Sequence, residues 1–147
     1  MSRIKFELGI APPKGTSQQK GVFVRNNKAR FFKKKPVADA ESLYMSELAK
    51  VGLTRDDMLT GPIACEITFT WPYRKSETKR RQALPFVMHD KRPDADNTAK
   101  LLLDCMEKAG FYKQDSEISI LTIEKRWGLD PSVQVDLWEL DEIGNTR

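Results

Sequence analysis

The chain has 147 residues and a mass of 16.9 kDa, a length that fits one domain, and we expect a single domain over 1–147. With 39% hydrophobic and 31% charged residues it is neither collagen-like nor wholly disordered, and no apolar run is long enough to cross a bilayer. Lys+Arg 25 against Asp+Glu 21 leaves a net charge of +4, a pointer to an anionic partner. Cys65 and Cys105 lack CxxC spacing, which predicts a reducing compartment and no zinc site. His89 is the one histidine, so a histidine-based metal cluster within one subunit is excluded. The first residues show no charged-then-apolar signal pattern, and we expect a cytoplasmic protein of a bacterial or phage-infected cell.

In chain order, Ile4, Phe6, Leu8 and Ile10 alternate with Lys5, Glu7 and Gly9, the pattern of a half-buried strand. Pro12 and Pro13 end it. Residues 22–24 and 29–32 predict a small hairpin across Arg25-Asn26-Asn27-Lys28. Pro36 suits the first turn of a helix whose stripe is Val37, Ala40, Tyr44, Leu48 and Val51, with Gly52 as its stop. Ile63, Cys65, Ile67, Phe69 and Trp71 mark the clearest strand. Residues 72–93 are polar, basic and bracketed by prolines, and read as a long functional or mobile loop.

A second helix is expected over 96–109, with Asp96 as N-cap, Ala99, Leu102, Leu103, Met106 and Ala109 on its apolar face, and Gly110 as stop. Ile118, Ile120 and Thr122 alternate with Ser119, Leu121 and Ile123, as in a strand buried on both faces. After a turn over 128–132, Val133, Val135 and Leu137 predict a last strand, paired antiparallel with the one before. The fold class is α/β (α+β): a mixed β-sheet flanked by two main helices.

The charge is uneven. Lys14, Lys20, Arg25, Lys28, Arg30, Lys33, Lys34 and Lys35 follow one another with no acid between Glu7 and Asp39. A second basic stretch holds Arg74, Lys75, Lys79, Arg80, Arg81, Lys91 and Arg92, diluted by Glu77 and Asp90. The C-terminus reverses sign, with Asp130, Asp136, Glu139, Asp141 and Glu142. We read the two basic stretches as a DNA-binding face; the plainer alternative is solvated loop. Phe31 and Phe32, beside the lysine run, could wedge into a nucleic-acid branch. Trp71, Trp127 and Trp138 are expected to pack on the sheet, with stacking on unpaired bases as the alternative, and His89 to be a bystander in its loop, with a contact to a phosphate or the scissile region as the alternative.

Between the basic stretches and the tail lies Arg92-Pro93-Asp94-Ala95-Asp96-Asn97. If Asp94 and Ala95 are extended, Asp94 and Asp96 project to one side and offer hard oxygen ligands suited to Mg²⁺, with Mn²⁺ able to substitute. Lys100, one helical turn after Asp96, can steady charge on a phosphate or orient an attacking water. Helix capping and a surface Asp96–Lys100 pair are the alternatives. Asp115 is a further candidate ligand, but thirteen helical residues rise about 20 Å. Either the chain doubles back along the helix or a second subunit supplies a carboxylate. Asp104 is expected to pair with Lys100 or Lys108, and Glu117 to support Asp115 or simply to be exposed.

Lys91-Arg92-Pro93-Asp94-Ala95-Asp96-Asn97, then Lys100, Leu103-Asp104, Gly110-Phe111 and Asp115-Ser116-Glu117-Ile118 together resemble the RusA family of Holliday-junction resolvases. Pro12-Pro13 also recurs in that family, and His89 resembles its phage-type variants. The resemblance implies a homodimer that binds four-way DNA junctions and cuts them by symmetric Mg²⁺-dependent nicks, with no organic cofactor and no membrane. By position, Asp94, Asp96 and Asp115 match the family's catalytic acids and metal ligands, and Lys100 its essential lysine. Two positions depart from the family: Gln114 stands where a further acid is common, and Lys14-Gly15-Thr16 follows the prolines where Ser and Asn are usual. The chain therefore reads as a structure-selective endodeoxyribonuclease of recombination and repair. The alternatives are a non-catalytic junction- or single-strand-DNA-binding protein, or a nuclease for other branched substrates.

Overall fold

A computed structural model describes residues 3–14 and 20–147, and within the hairpin the side chains of 20, 21, 23 and 31–33 are outside that description. Strand β1 covers Arg3–Leu8, β2 Lys20–Arg25 and β3 Lys28–Lys33. Helix α1 spans Lys35–Ala49 and strand β4 Ile63–Pro72. The short helix α2 (Lys79–Gln82) and strand β5 (Val87–Met88) lead to helix α3, Ala95–Lys108. A 3-10 turn over Asp115–Glu117 opens β6, Ile118–Gly128, and β7 is Ser132–Glu139.

The main sheet is mixed and five-stranded, in the order β1-β7-β4-β6-β5, and β2 and β3 form a separate two-stranded sheet. Their turn places Asn26 and Asn27 at φ 54° and 61°, the left-handed pair that a two-residue hairpin loop requires. The odd residues of β4 from Ile63 to Trp71 are buried beneath α1 and α3, together with Val133, Val135 and Leu137 of β7. Glu66, Gln134 and Lys5 lie on the opposite, exposed face. The molecule is thus two-layered, with helices on one face of the sheet. Val37, Ala40, Tyr44 and Leu48 of α1 are buried as their spacing predicts. Cys65 and Cys105 are buried thiols. Among the described residues no helix is long and apolar enough to cross a membrane.

Several expectations are corrected. The last strand does not pair with the one before it: β4 lies between, parallel to β6 and antiparallel to β7. The most apolar strand takes the centre, where both its edges are satisfied. The predicted direction of β7 holds; its neighbour does not. Strand β6 is not buried on both faces, since Ile120 is 48% and Leu121 42% exposed. Its outer edge meets β5 only at Arg126 and Trp127, so among the described residues no strand flanks its first part. The segment 72–93 is not all loop. Thr78 caps α2 by accepting from the Arg81 N–H at 3.3 Å, and Tyr73 donates its hydroxyl to Arg81 O at 3.2 Å. Helix α3 starts at Ala95, one residue earlier than predicted, so Asp94 rather than Asp96 holds the N-cap position.

Candidate active site

Lys125 sets the position of the acidic motif. It belongs to the inward row of β6 with Ile123 and Trp127, matched by register to Ile67, Phe69 and Trp71. Its ammonium donates to Lys91 O at 2.5 Å and Pro93 O at 2.6 Å, tying the chain to the sheet just before α3. Burial lowers its pKa, while Asp94 and Asp90 act in the opposite direction.

Asp94 is extended (φ −65°, ψ 143°), and its main-chain oxygen accepts from the Thr98 N–H at 3.1 Å. Its carboxylate makes no capping bond; it accepts instead from the Asn97 side-chain amide at 3.4 Å and is exposed. Simple capping therefore does not account for the Asp94 side chain. Asp96 is exposed in the first turn of α3. Because Ala95 is already helical, the extended-chain argument that put both aspartates on one side does not apply.

Lys100 does not turn back to Asp96. Its ammonium donates to Asp104 at 3.0 Å and to Asp115 at 3.1 Å, and these two hydrogen bonds raise its pKa. The chain doubles back after α3. Gly110 takes φ 88°, the Phe111 N–H returns to Met106 O at 3.0 Å, and the Asp115 N–H donates to Glu107 at 2.7 Å. Asp115 thus stands beside α3, against Lys100 and Glu107, because the chain doubles back along the helix. Glu117 secures the turn: its carboxylate accepts from the N–H groups of Lys113 and Gln114 at 3.1 and 3.2 Å, and of Gly61 at 3.3 Å. A Cβ at Gly61 would lie 2.7 Å from that of Glu117, so this approach requires glycine.

Among the described residues no three acids, histidines or cysteines already stand together as a metal cage. The donor set still suits a hard divalent cation: Asp94, Asp96 and Asp115 are carboxylates with accessible oxygens, and Asn97 adds an amide carbonyl.

A groove of about 760 Å³ opens beside Asp94 and Asn97. Lys14, Arg74, Lys75 and Arg92 bring positive charge to it. Its lining includes His89, which is 6% exposed and packed rather than free in its loop. The imidazole stacks on Trp127 with centroids 3.9 Å apart and planes 9° apart, and Trp71 meets it at 4.8 Å. Burial, then the neighbouring Lys125 charge, lowers the His89 pKa. Trp71 and Trp127 are buried as expected, and Trp138 packs under the Arg3 guanidinium at 5.3 Å.

The other basic candidates divide. Arg25, Lys28 and Arg30 are exposed on the hairpin, and Lys34 just before α1. Lys35 binds Asp39 at 3.0 Å, Lys91 lies 3.8 Å from Asp90, and Arg81 lies 3.3 Å from Glu77. Lys79 and Arg80 are exposed on α2. The side chains of Lys20, Lys33, Phe31 and Phe32, and residues Gly15 and Thr16, lie outside the described part.

A family model described as Endodeoxyribonuclease RusA matches residues 11–137, a span that takes in the acidic motif, Lys100, Asp115 and the groove. The chain belongs to the RusA family. It is therefore a nuclease, of a family that resolves Holliday junctions in DNA and is generally metal-dependent. No curated protein matches the chain. Sequence reasoning missed two features of this RusA member: Lys125, and the Trp71–His89–Trp127 stack. Trp71 and Trp127 are register partners on β4 and β6, a relation visible only once the strands are paired.

Proposed function

We propose that the chain, acting as one domain over 1–147, is a Mg²⁺-dependent resolvase that nicks four-way DNA junctions symmetrically as a cytoplasmic homodimer. The observation that carries the reading is the 3.1 Å contact of Asp115 with Lys100, a residue of the helix whose N-cap position Asp94 holds. It joins the chain's distant candidate acid to the helix bearing the other two. Asp94, Asp96 and Asp115 are the residues that would hold Mg²⁺, or Mn²⁺ in its place. The bound ion supplies a Lewis acid for the phosphate and lowers the pKa of a water. Lys100 keeps Asp115 in place and offers its positive charge to the reacting phosphate. Asn97 orients the Asp94 carboxylate. The basic residues hold the junction arms.

The dimer reading rests on β6. Its outer edge, before β5 begins to cover it, pairs with no strand among the described residues and carries the exposed Ile120 and Leu121, and an open apolar edge invites a strand. Antiparallel pairing of two copies centred on Leu121 sets Ile120 against Thr122 and Ile118 against Glu124, with no like charges opposed. The two-fold axis is then normal to the sheet, so both α3 helices face the same way, as paired nicks require.

Asp94→Asn tests the site. It is expected to bind junction DNA in Ca²⁺ like the wild type, to lose about a hundredfold in Mg²⁺-driven cutting, and to bind Mn²⁺ more weakly in calorimetry without DNA. Wild-type cutting by this variant would remove Asp94 from the site. Binding with no nicking under any divalent metal would favour the non-catalytic alternative, and a panel of junction, fork, duplex and RNA would assign the substrate. Leu121→Lys should sediment as a monomer where the wild type is a dimer; a monomeric wild type would discard the dimer.

A further inference from the structure

Gripping phosphate needs cations, yet the groove beside Asp94 is floored with aromatic rings. His89 covers Trp127 at 3.9 Å, Trp71 lies against His89, and the Arg74 guanidinium lies against the Trp127 ring at 5.1 Å. Arg74 reaches solvent beside these rings: its side chain is 46% exposed, and the Glu77 carboxylate, 3% exposed, lies 4.0 Å from it. A half-exposed guanidinium held against an aromatic ring can stack on a nucleobase. The groove's volume, about 760 Å³, falls in the range of small-ligand sites, roughly 300–1,000 Å³. Lys75 and Arg92 stand on its walls with Asp94.

We propose that this groove takes one nucleotide, unstacked from the strand beside the phosphate to be cut, with its base against Arg74 and its phosphate on Lys75 and Arg92. The inference rests on the nuclease reading above and adds a base-binding subsite to it. Such extraction costs least where pairing or stacking is already interrupted. Stacking of this kind is sequence-tolerant, so the subsite positions the strand whichever base it takes.

The test places a single abasic nucleotide at each position within three of the nick, on either side, and follows single-turnover cutting. Cutting should fall about tenfold at one or two adjacent positions and hardly at all elsewhere. Arg74→Lys, which keeps the charge but not the plane, should cut intact DNA about tenfold more slowly and lose the positional penalty. Equal rates along the abasic series, or an undiminished penalty in Arg74→Lys, overturn the proposal.

A second measurement needs no cutting. Tryptophan quenching by deoxynucleoside monophosphates is compared with quenching by deoxyribose 5-phosphate, using Trp138→Phe to isolate the groove. The nucleotides should bind more tightly to the wild-type groove and equally with the sugar phosphate to Arg74→Lys. No preference for the base in the wild type rejects the subsite, even in a protein that cuts junctions. A preference in a protein that cuts none retains the subsite and rejects the nuclease reading instead.

Discussion

Helix α3 lies against the five-stranded sheet with Ala99, Leu102, Cys105 and Met106 buried, whereas the β2–β3 hairpin joins no strand of that sheet. On α3, Lys100 is held by two acids, and the chain leading into the helix is tied down by Lys125. On the hairpin, Arg25, Lys28 and Arg30 are exposed, and even Val22 and Val24 are 57% and 72% exposed. An isolated two-stranded ribbon is marginal without partners. The contrast separates two demands on a nuclease. Breaking a phosphodiester depends on atoms fixed to a fraction of an ångström. Holding a polyanion depends mostly on charge, which acts over several ångströms and tolerates motion. The packed helix suits the first demand and the ribbon the second.

The largest effect should follow from Lys100→Met. Single-turnover cutting is expected to drop about a hundredfold, with junction affinity in Ca²⁺ nearly unchanged. A loss of only a few-fold would move the chemistry away from α3. The pH dependence has a definite sign. Asp104 and Asp115 raise the Lys100 pKa above its ordinary 10.5, so the ammonium persists below that pH and its ion pairs are lost only as pH rises through the raised value. Any fall in cutting between pH 8 and 10 must then survive in Lys100→Arg. The next largest effect is Lys125→Met, which releases Lys91 O and Pro93 O while keeping the side chain's bulk. Turnover should fall about tenfold without a change in affinity, as for other supporting contacts around a site. An equal loss in affinity would make Lys125 a DNA contact instead.

The elements that were legible in the sequence are those whose period matches their burial. The alternation in β4 and the stripes of α1 and α3 each report one apolar face, and the structure buries those faces. Strand order was not legible, because alternation tells which side of a strand is apolar but not which strand lies beside it. Placing β4 between β6 and β7 depends on competition among whole strands for the centre of the sheet. Lys125 shows the same limit at one residue. It alternates with Ile123 and Trp127, so it is an inward charge, but it reads as one only when the register with β4 is known. The candidate acids were legible as a motif. That Lys100 faces Asp115 rather than Asp96 depends on the backward path after Gly110, which no local pattern encodes.

The hairpin side of the contrast is tested by replacing Lys28, Arg30 and Lys34 with Gln. If each meets a phosphate, the slope of log affinity against log salt should fall by about 3, at roughly 0.9 per contact. Cutting at saturating DNA should stay at the wild-type rate; a slower rate would give the hairpin a part in the chemistry.

The smallest effect concerns the joint between groove and sheet. Burial and the Lys125 charge lower the His89 pKa in the folded state, whereas the unfolded chain takes up the proton near the ordinary 6.5. Acid therefore favours the unfolded state. The stability that neutral His89 provides is complete above about pH 6.5 and is lost progressively as pH falls towards the lowered folded value. Wild-type melting temperature should decline below pH 6.5 more steeply than that of His89→Gln, by about 2 °C at pH 5. Lys125→Met should flatten the wild-type curve only in part, since it removes the cation but leaves burial, the larger cause, in place. Parallel curves for wild type and His89→Gln would mean that the imidazole is not held neutral by the fold. The stack would then owe its place to packing alone, and the site's anchoring would rest on Lys125 without help from the ring above it.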